Sequence, residues 1–515
     1  MLFNSFAFLL GFLPVTLLLF FALARRSHTL AAAWLALASL VFYGWWDYHY
    51  IPLLLASVVI NYGCGLRCRL APQPARKRWL VAAVSVNLLL LAYLKYADFF
   101  LSSVATLSGW PLPVLHIVLP IGISFFTFTQ IAFLVDSYQG KVKESRFIHY
   151  LLFVTYFPHL IAGPVLHHKE MMPQFADRKT YLPTAGNFAV GSAIFFIGLA
   201  KKVLLADNLA AYANPLFAAP NAPSLLLAWG GVLAYAFQLY FDFSGYSDMA
   251  IGLSRLFGVR LPLNFNSPYK AVNIIEFWRR WHMTLSRFLR DYLYLPLGGN
   301  RKGPLRRYVN LMATMLLGGL WHGAGWNFVI WGGLHGLYLT VNHGWLALAQ
   351  RSGFPLQSRR WHFVAGLLTF IAVCYAWVFF RAADPTLAFD IVRGMSGAHG
   401  VALPDAIGNR LGAYRAWFEH MGVGFFAGGG AQFIETWSWV TLAALLVFLF
   451  PNAQEITRRF DPAFDFHPAP GLEQNPLARR LVWQPTRTWA VVMGICALAC
   501  MLSLSRPTDF LYFQF

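Results

Sequence analysis

The sequence predicts an all-α polytopic membrane protein with roughly 11–13 membrane helices, some of them re-entrant. Three observations carry this. Of 515 residues, 58% are hydrophobic and only 12% charged, about half the charge of a soluble globular chain; the mean hydropathy is +0.53. Aromatic residues reach 17%, with 19 Trp, as suits a protein with two interfacial belts. Apolar runs recur along the whole chain, and the loops between them alternate in charge.

The runs fall at 6–24, 30–46, 51–65, 79–94, 115–135, 150–166, 188–206, 225–243, 308–320, 326–346, 363–380, 433–450 and 489–504. A span needs about 20 apolar residues, so the shorter runs are read as dipping in and returning. The first run is followed by Arg25-Arg26, the reverse of a cleavable signal, and predicts a retained helix. Basic clusters at Arg25-Arg26, Arg67–Arg78 and Lys141–Arg146 share one side if the intervening runs span, and 47–50 and 97–109, without Lys or Arg, share the other. Basic residues mark cytoplasmic loops, which places both termini outside the cytoplasm. The stretch from about 150 to 291 does not count cleanly and predicts re-entrant segments around a protein- or water-lined cavity.

The net charge of +19 sits in these short loops, which excludes a nucleic-acid face. Cys64/Cys68 and Cys496/Cys500 are spaced i, i+4 in apolar helical text, so they read as packing residues rather than a zinc or disulfide framework.

Three stretches place ionisable residues at membrane depth, where they are functional candidates by default. In 157–164, two prolines and a glycine interrupt an apolar run around His159; the plainer reading is a kinked helix with His159 bonded to backbone. In the second, from Gln238 through Asp242, Ser244 and Asp248 and on to Glu276–Asp291, the pairs Glu276/Arg280 and Arg287/Asp291 are spaced for one helix face. That helix is either an interfacial lipid anchor or an electropositive wall for an anionic donor, with His282 among arginines held neutral and suited to relaying a proton. The third stretch, 316–336, holds Trp321, His322, Asn327 and His335 among glycines. The preceding run of 13 residues would span only about 20 Å, which submerges the turn carrying His322 in a core of about 30 Å. The chain has no Gly-x-Ser-x-Gly elbow, P-loop or H-E-x-x-H spacing, which argues against a serine hydrolase, nucleotide-driven transport and a zinc protease.

The stretches 41–46, 119–125, 157–164, 239–253, 276–300, 317–336 and 377–381 resemble the membrane-bound O-acyltransferase family, specifically its bacterial polysaccharide branch, the alginate O-acetylase-like proteins. The resemblance covers residues 6 to about 381, and the closing 509–515 is also familiar. It implies a ring of helices around a thin centre, with a funnel reaching a catalytic histidine. His322 matches the family's active-site histidine and His282 a second one in this branch. Arg279, Arg280 and Trp281 are candidates for the donor, and His159, Asp242, Ser244, Asp248, Trp321 and Asn327 for the funnel lining. The resemblance also implies a thioester donor, acetyl-CoA or an acyl carrier, as substrate, with no resident cofactor or metal. It implies transfer toward hydroxyls of an exported polysaccharide at the bacterial inner membrane, with a periplasmic acyltransferase as partner. Alginate or a similar exopolysaccharide is the expected acceptor; peptidoglycan, cellulose and teichoic acid systems use similar proteins. The expected domains are a core at 1–381, a periplasmic loop at 382–432, and C-terminal membrane helices with a basic cytoplasmic loop at 433–515. The rival reading, a transporter, would carry inverted repeats, and none is visible.

Overall fold

The computed structural model describes residues 1–161, 163–218, 222–468, 472–504 and 510–511. In chain order the principal helices are α1 (Leu13–Ala24), α2 (His28–Gly44), α3 (Ile51–Leu70), α4 (Ala75–Ser108), α5 (Ile123–Tyr138), α6 (Phe147–Thr155), α7 (Ala185–Ala200) and α8 (Asp207–Ala218). They continue as α9 (Leu225–Leu256), α10 (Ile274–Arg280), α11 (Met283–Leu289), α12 (Gly303–His322), α13 (Trp326–Arg351), α14 (Arg359–Arg381), α15 (Gly430–Leu449) and α16 (Arg487–Ser503). Seven helical stretches among the described residues are long and apolar enough to cross a membrane, and α2 and α16 are shorter apolar helices. The protein is an all-α polytopic membrane protein.

Its residues form two compact units. The first comprises Met1–Ala200, Gly245–Asn264 and the described part of Ala453–Gln514. Lipid gives packed helices no hydrophobic reward for meeting, so small residues and internal hydrogen bonds hold them. Both devices are present. Asn61 of α3 and Asn87 of α4 exchange amide hydrogen bonds at 3.2 and 2.6 Å, and Gln130 of α5 donates to Ser57 Oγ at 2.9 Å. Gly191 and Gly198 of α7 meet Gly252 and Gly245 of α9. A Cβ at Gly198 would stand 2.7 Å from the Gly245 carbonyl, and one at Gly252 2.6 Å from the Gly191 carbonyl. Only glycine permits that approach.

The second unit comprises Lys201–Ser244 and Phe265–Asn452. A π-helical turn, Lys201–Ala206, leads into α8. Helices α12 and α13 form a hairpin with another small-residue seam: a Cβ on Gly332 would collide with the Met315 carbonyl, and one on Gly336 would stand 2.7 Å from Met312 Sδ. Residues 382–430 fold as a small layer of their own. They carry helices Pro385–Met395, Asp405–Arg410 and Tyr414–His420 and two parallel strands, β1 (Val401–Pro404) and β2 (Val423–Phe426), with Val401 opposite Val423.

Several sequence expectations are corrected. The run at 308–320 is the apolar part of a 20-residue helix that starts at Gly303-Pro304; 20 residues span about 30 Å, so shortness does not submerge His322. The run at 115–135 becomes helical only at Ile123, after Pro120 and a left-handed Gly122. The run at 150–166 breaks after Thr155 and gives one further turn, Phe157–Leu160, with Pro158 at its start; a proline fits a first turn but not an interior. Ala162, and all of 509–515 except Phe510 and Leu511, lie outside the described residues.

Candidate active site

The arginine-rich stretch is two helices rather than one. Asn273 caps α10 by accepting from the Glu276 N–H at 2.9 Å. After Trp281 the chain turns at His282, which adopts φ 43° and ψ 52° before α11 starts. A left-handed conformation is uncommon outside glycine, although histidine tolerates it better than most residues. The break is braced from outside: the Asn266 N–H donates to the Arg280 carbonyl at 2.9 Å, and Asn452 Nδ2 bonds Asn266 Oδ1 and Ser267 Oγ at 3.1 Å each. Backbone strain held by its surroundings in this way clusters at functional sites.

Only half of the expected charge pairing forms on the predicted pattern, the chain passing into a π-helical turn at Arg290–Tyr294. Arg280 donates to Glu276 at 2.6 Å, whereas Asp291 pairs with the adjacent Arg290 at 2.7 Å. Arg279 is exposed. Trp281 is buried, its ring stacked on Phe277 at 5.7 Å and packed on Trp377 at 4.9 Å.

His322 is the last residue of α12. The glycines that follow are extended, with φ −160° at Gly323 and −169° at Gly325, so no left-handed turn requires them. Space does at Gly323: a Cβ there would run into the Phe328 ring. The Gly325 N–H is committed to the Gly323 carbonyl at 3.2 Å, so it is not a free donor for an oxyanion beside His322. Asn327 Nδ2 donates to the Ala382 carbonyl at 2.7 Å, tying the start of α13 to the end of α14.

These elements bring the two histidines together. The rings of His282 and His322 lie 6.3 Å apart, with Trp321 5.0 Å from His322 and 6.2 Å from His282. Trp331 and Phe380 close on His322 at 5.1 and 5.2 Å, and Phe243 sits edge-on to His282 at 4.9 Å. His282 is fully buried and His322 is 6% exposed. The walls around His282 are thus aromatic. His335 lies behind Trp331 at 4.7 Å, and its Nδ1 accepts from Trp278 Nε1 at 3.2 Å, which assigns the ring proton to Nε2. An imidazole boxed by aromatic rings is held in one orientation and shielded from water, as a proton acceptor in acyl transfer requires.

The remaining candidates fall elsewhere. Asp242 and Asp207 each lie 2.8 Å from Lys202 Nζ, and Lys201 Nζ reaches Ser244 Oγ at 3.5 Å. The residue between them, Phe243, is the one that touches His282. His159 and Asp248 belong to the first unit. There His159 Nε2 meets the Phe153 carbonyl at 2.9 Å, the backbone bond of the plainer reading, and Asp248 accepts from Gln454 at 2.6 Å. Sequence reasoning singled out neither Phe243, Trp331 nor Phe380 for the site. Trp331 was within reach, since Trp331 and His335 stand i, i+4 on one helix face; Phe380 is 58 positions from His322 and gives no local signal. Among the described residues, no group of three His, Cys, Asp or Glu could hold a metal ion.

Comparison with known proteins bears on this arrangement. The model of the membrane-bound O-acyltransferase family matches residues 40–384, a range that includes both histidines and the aromatic box. The chain is 45% identical to a peptidoglycan O-acetyltransferase of Helicobacter pylori, over 78% of this chain and 81% of that protein. It is 44% identical to a "probable alginate O-acetylase" of Pseudomonas aeruginosa, over 77% of this chain and 75% of the relative. A teichoic acid D-alanyltransferase of Streptococcus thermophilus is 28% identical over 50% of the chain and 68% of its own length.

Proposed function

The chain belongs to the membrane-bound O-acyltransferase family, and from that premise we propose that it moves an acetyl group from a thioester donor toward hydroxyls of an exported bacterial polysaccharide, with His322 as general base. The observation that carries this is the pair of buried histidines, 6.3 Å apart in an aromatic box. His322 takes the proton of the acceptor hydroxyl as the oxygen attacks the thioester carbonyl. The tetrahedral intermediate collapses, the C–S bond breaks, and the leaving sulfur takes the proton back from His322. Such proton transfer contributes about 10²–10⁴-fold. His282 sits behind His322 as a proton relay or an orienting group.

At the donor end, Arg280 is neutralised by Glu276, so exposed Arg279 is the stronger point of attraction for an anionic donor, acetyl-CoA or an acyl carrier. The relatives named for peptidoglycan and alginate acetylation are similar to almost the same degree, which supports a glycan acceptor without choosing between the two. On this reading the protein works in the bacterial inner membrane and hands the acyl group outward with a periplasmic acyltransferase as partner. The test is the acetyl content of the glycan in cells complemented with wild type or His322→Ala, with protein level followed by blot. Acetylation falls to background while polymer is still made; near-normal acetylation by a well-expressed variant would refute the assignment.

A further inference from the structure

The second unit holds a cleft of about 560 Å³, which the mechanism does not use. Its volume falls in the range of roughly 300–1,000 Å³ that takes small-molecule-sized ligands. One wall comes from three helices: Tyr212 and Pro215 lie in α8, Gly230 and Gly231 near the start of α9, and Gln432 to Trp437 open α15. The other wall comes from the 382–430 layer through His399, Ala402 and Phe426. That layer is fastened to the head of α9. The Leu225 N–H donates to the Gly400 carbonyl at 3.0 Å, Trp229 Nε1 to the Met395 carbonyl at 3.0 Å, and His399 Nδ1 meets the Pro223 carbonyl at 3.2 Å. The cleft is therefore built by folded elements, between the three helices and the 382–430 layer.

Its chemistry is specific. Flat aromatic faces (Tyr212, Phe426, Phe433, Trp437) alternate with hydrogen-bonding groups (Gln432, Thr436, His399), and among the described lining residues there is no Lys, Arg, Asp or Glu; beside them the Tyr212 hydroxyl donates to the Glu435 carboxylate at 3.1 Å. A nucleotide or phospholipid headgroup would call for a cation. Aromatic faces that take C–H surfaces, beside amide, hydroxyl and imidazole groups for ligand hydroxyls, fit an uncharged sugar.

The cleft is also joined to His322 through Phe380, Arg381 and α8. Phe380 packs on His322 at 5.2 Å. The next residue, Arg381, reaches back to α8, bonding Asn214 Oδ1 at 3.4 Å and lying over the Phe217 ring at 5.9 Å. Tyr212, Pro215 and Leu216 of the same helix line the cleft.

We propose that this cleft is a saccharide subsite that holds an uncharged stretch of the acceptor glycan on the His322 side of the membrane; the proposal rests on the acyl-transfer reading above. The full chain is reconstituted in lipid nanodiscs, and binding of the uncharged tetra-N-acetylchitotetraose is followed by calorimetry, with tetramannuronate as the anionic comparison. Wild type binds the uncharged sugar and prefers it over the uronate. Trp437→Ala weakens binding at least about tenfold, as loss of a central aromatic contact does, and Trp437→Phe keeps most of it, which separates loss of the platform from misfolding. No binding by wild type (the result if membrane lipid fills the cleft), equal binding of the uronate, or unchanged binding by Trp437→Ala overturns the proposal. The acyl-transfer reading is scored separately in the complemented cells, where any partner is present. Cleft-dependent binding together with normal acetylation by His322→Ala sustains a sugar site and refutes the acyl-transfer reading, whereas His322-dependent acetylation without cleft-dependent binding does the reverse.

Discussion

His282 combines two demands at one position, a left-handed backbone and an imidazole. The backbone demand predicts an order of stability among variants. His282→Gly relieves the strain, His282→Ala roughly keeps it, and His282→Val, β-branched, raises it by about 1–3 kcal/mol. Thermal unfolding in detergent should follow Gly, Ala, Val in falling order, while all three lose acyl transfer; equal midpoints would show that the turn is not strained. His335 differs. Its removal leaves the half-buried Trp278 Nε1 without its acceptor and empties a buried position, at a cost of about 1 kcal/mol or more, so His335→Ala should lower the unfolding midpoint and yield more than the rate per folded molecule. His322 was conspicuous in the sequence, as a histidine among glycines in an apolar run. Its neighbours Trp331 and Phe380 were not, because aromatic residues are the commonest filling of any membrane core and only the fold picks out which ones touch.

Among elements, the helices were easiest to read where their text is purely apolar and hardest where polar residues lengthen or interrupt them. Arg306, Arg307 and Asn310 hid the first turns of α12, although Pro304 marks its start. Nothing local marks the break between α10 and α11, since no Pro or Gly lies there and the brace comes from Asn266 and the distant Asn452. Arg279 and Arg280 differ in partner, Arg280 being bonded to Glu276 and Arg279 exposed, which leads to a kinetic prediction. Arg279→Gln should raise the donor KM more than it lowers kcat, and Arg280→Gln should do so less. Wild-type donor affinity in both would leave α10 a lipid anchor. Gly332→Leu should pry α12 from α13 and displace His322. It should abolish transfer even where the protein inserts, as read by acetyl transfer per unit of folded protein.

Over the whole molecule, loop charge predicts that residues near Arg76 lie in the cytoplasm and the 382–430 layer outside. A single cysteine introduced at Arg410, in a background without the five native cysteines, should react with an impermeant maleimide in intact cells, and one at Arg76 only after lysis. Labelling of Arg76→Cys from outside would invert the orientation and put the cleft on the wrong side for an exported glycan. Composition made the membrane class plain, but the folding of 382–430 was not legible. Short helices and a two-stranded sheet in glycine-interrupted text leave no long periodic pattern for a reader to follow.

The Lys202 bridge also bears on how the chain is made. Ribosomes deliver residues in order, so Lys202 enters the bilayer with Asp207 five positions behind it, while Asp242 arrives only with the next helix. Asp207 is thus the counter-ion during synthesis, and Asp242 joins once α9 is in place, completing the contacts of 2.8 Å on either side of the ammonium. A lone lysine at the centre of a helix costs about 2.5–3.5 kcal/mol at the translocon. In a nascent fragment ending at Ser224, Asp207→Asn should therefore reduce membrane integration, scored by glycosylation mapping in microsomes, and a further Lys202→Met should restore it. Asp242→Asn, by contrast, should integrate normally in the full chain and fail later, as a protein that inserts but unfolds at lower temperature. Equal integration by the wild-type and Asp207→Asn fragments would mean that the two carboxylates act only in the finished fold.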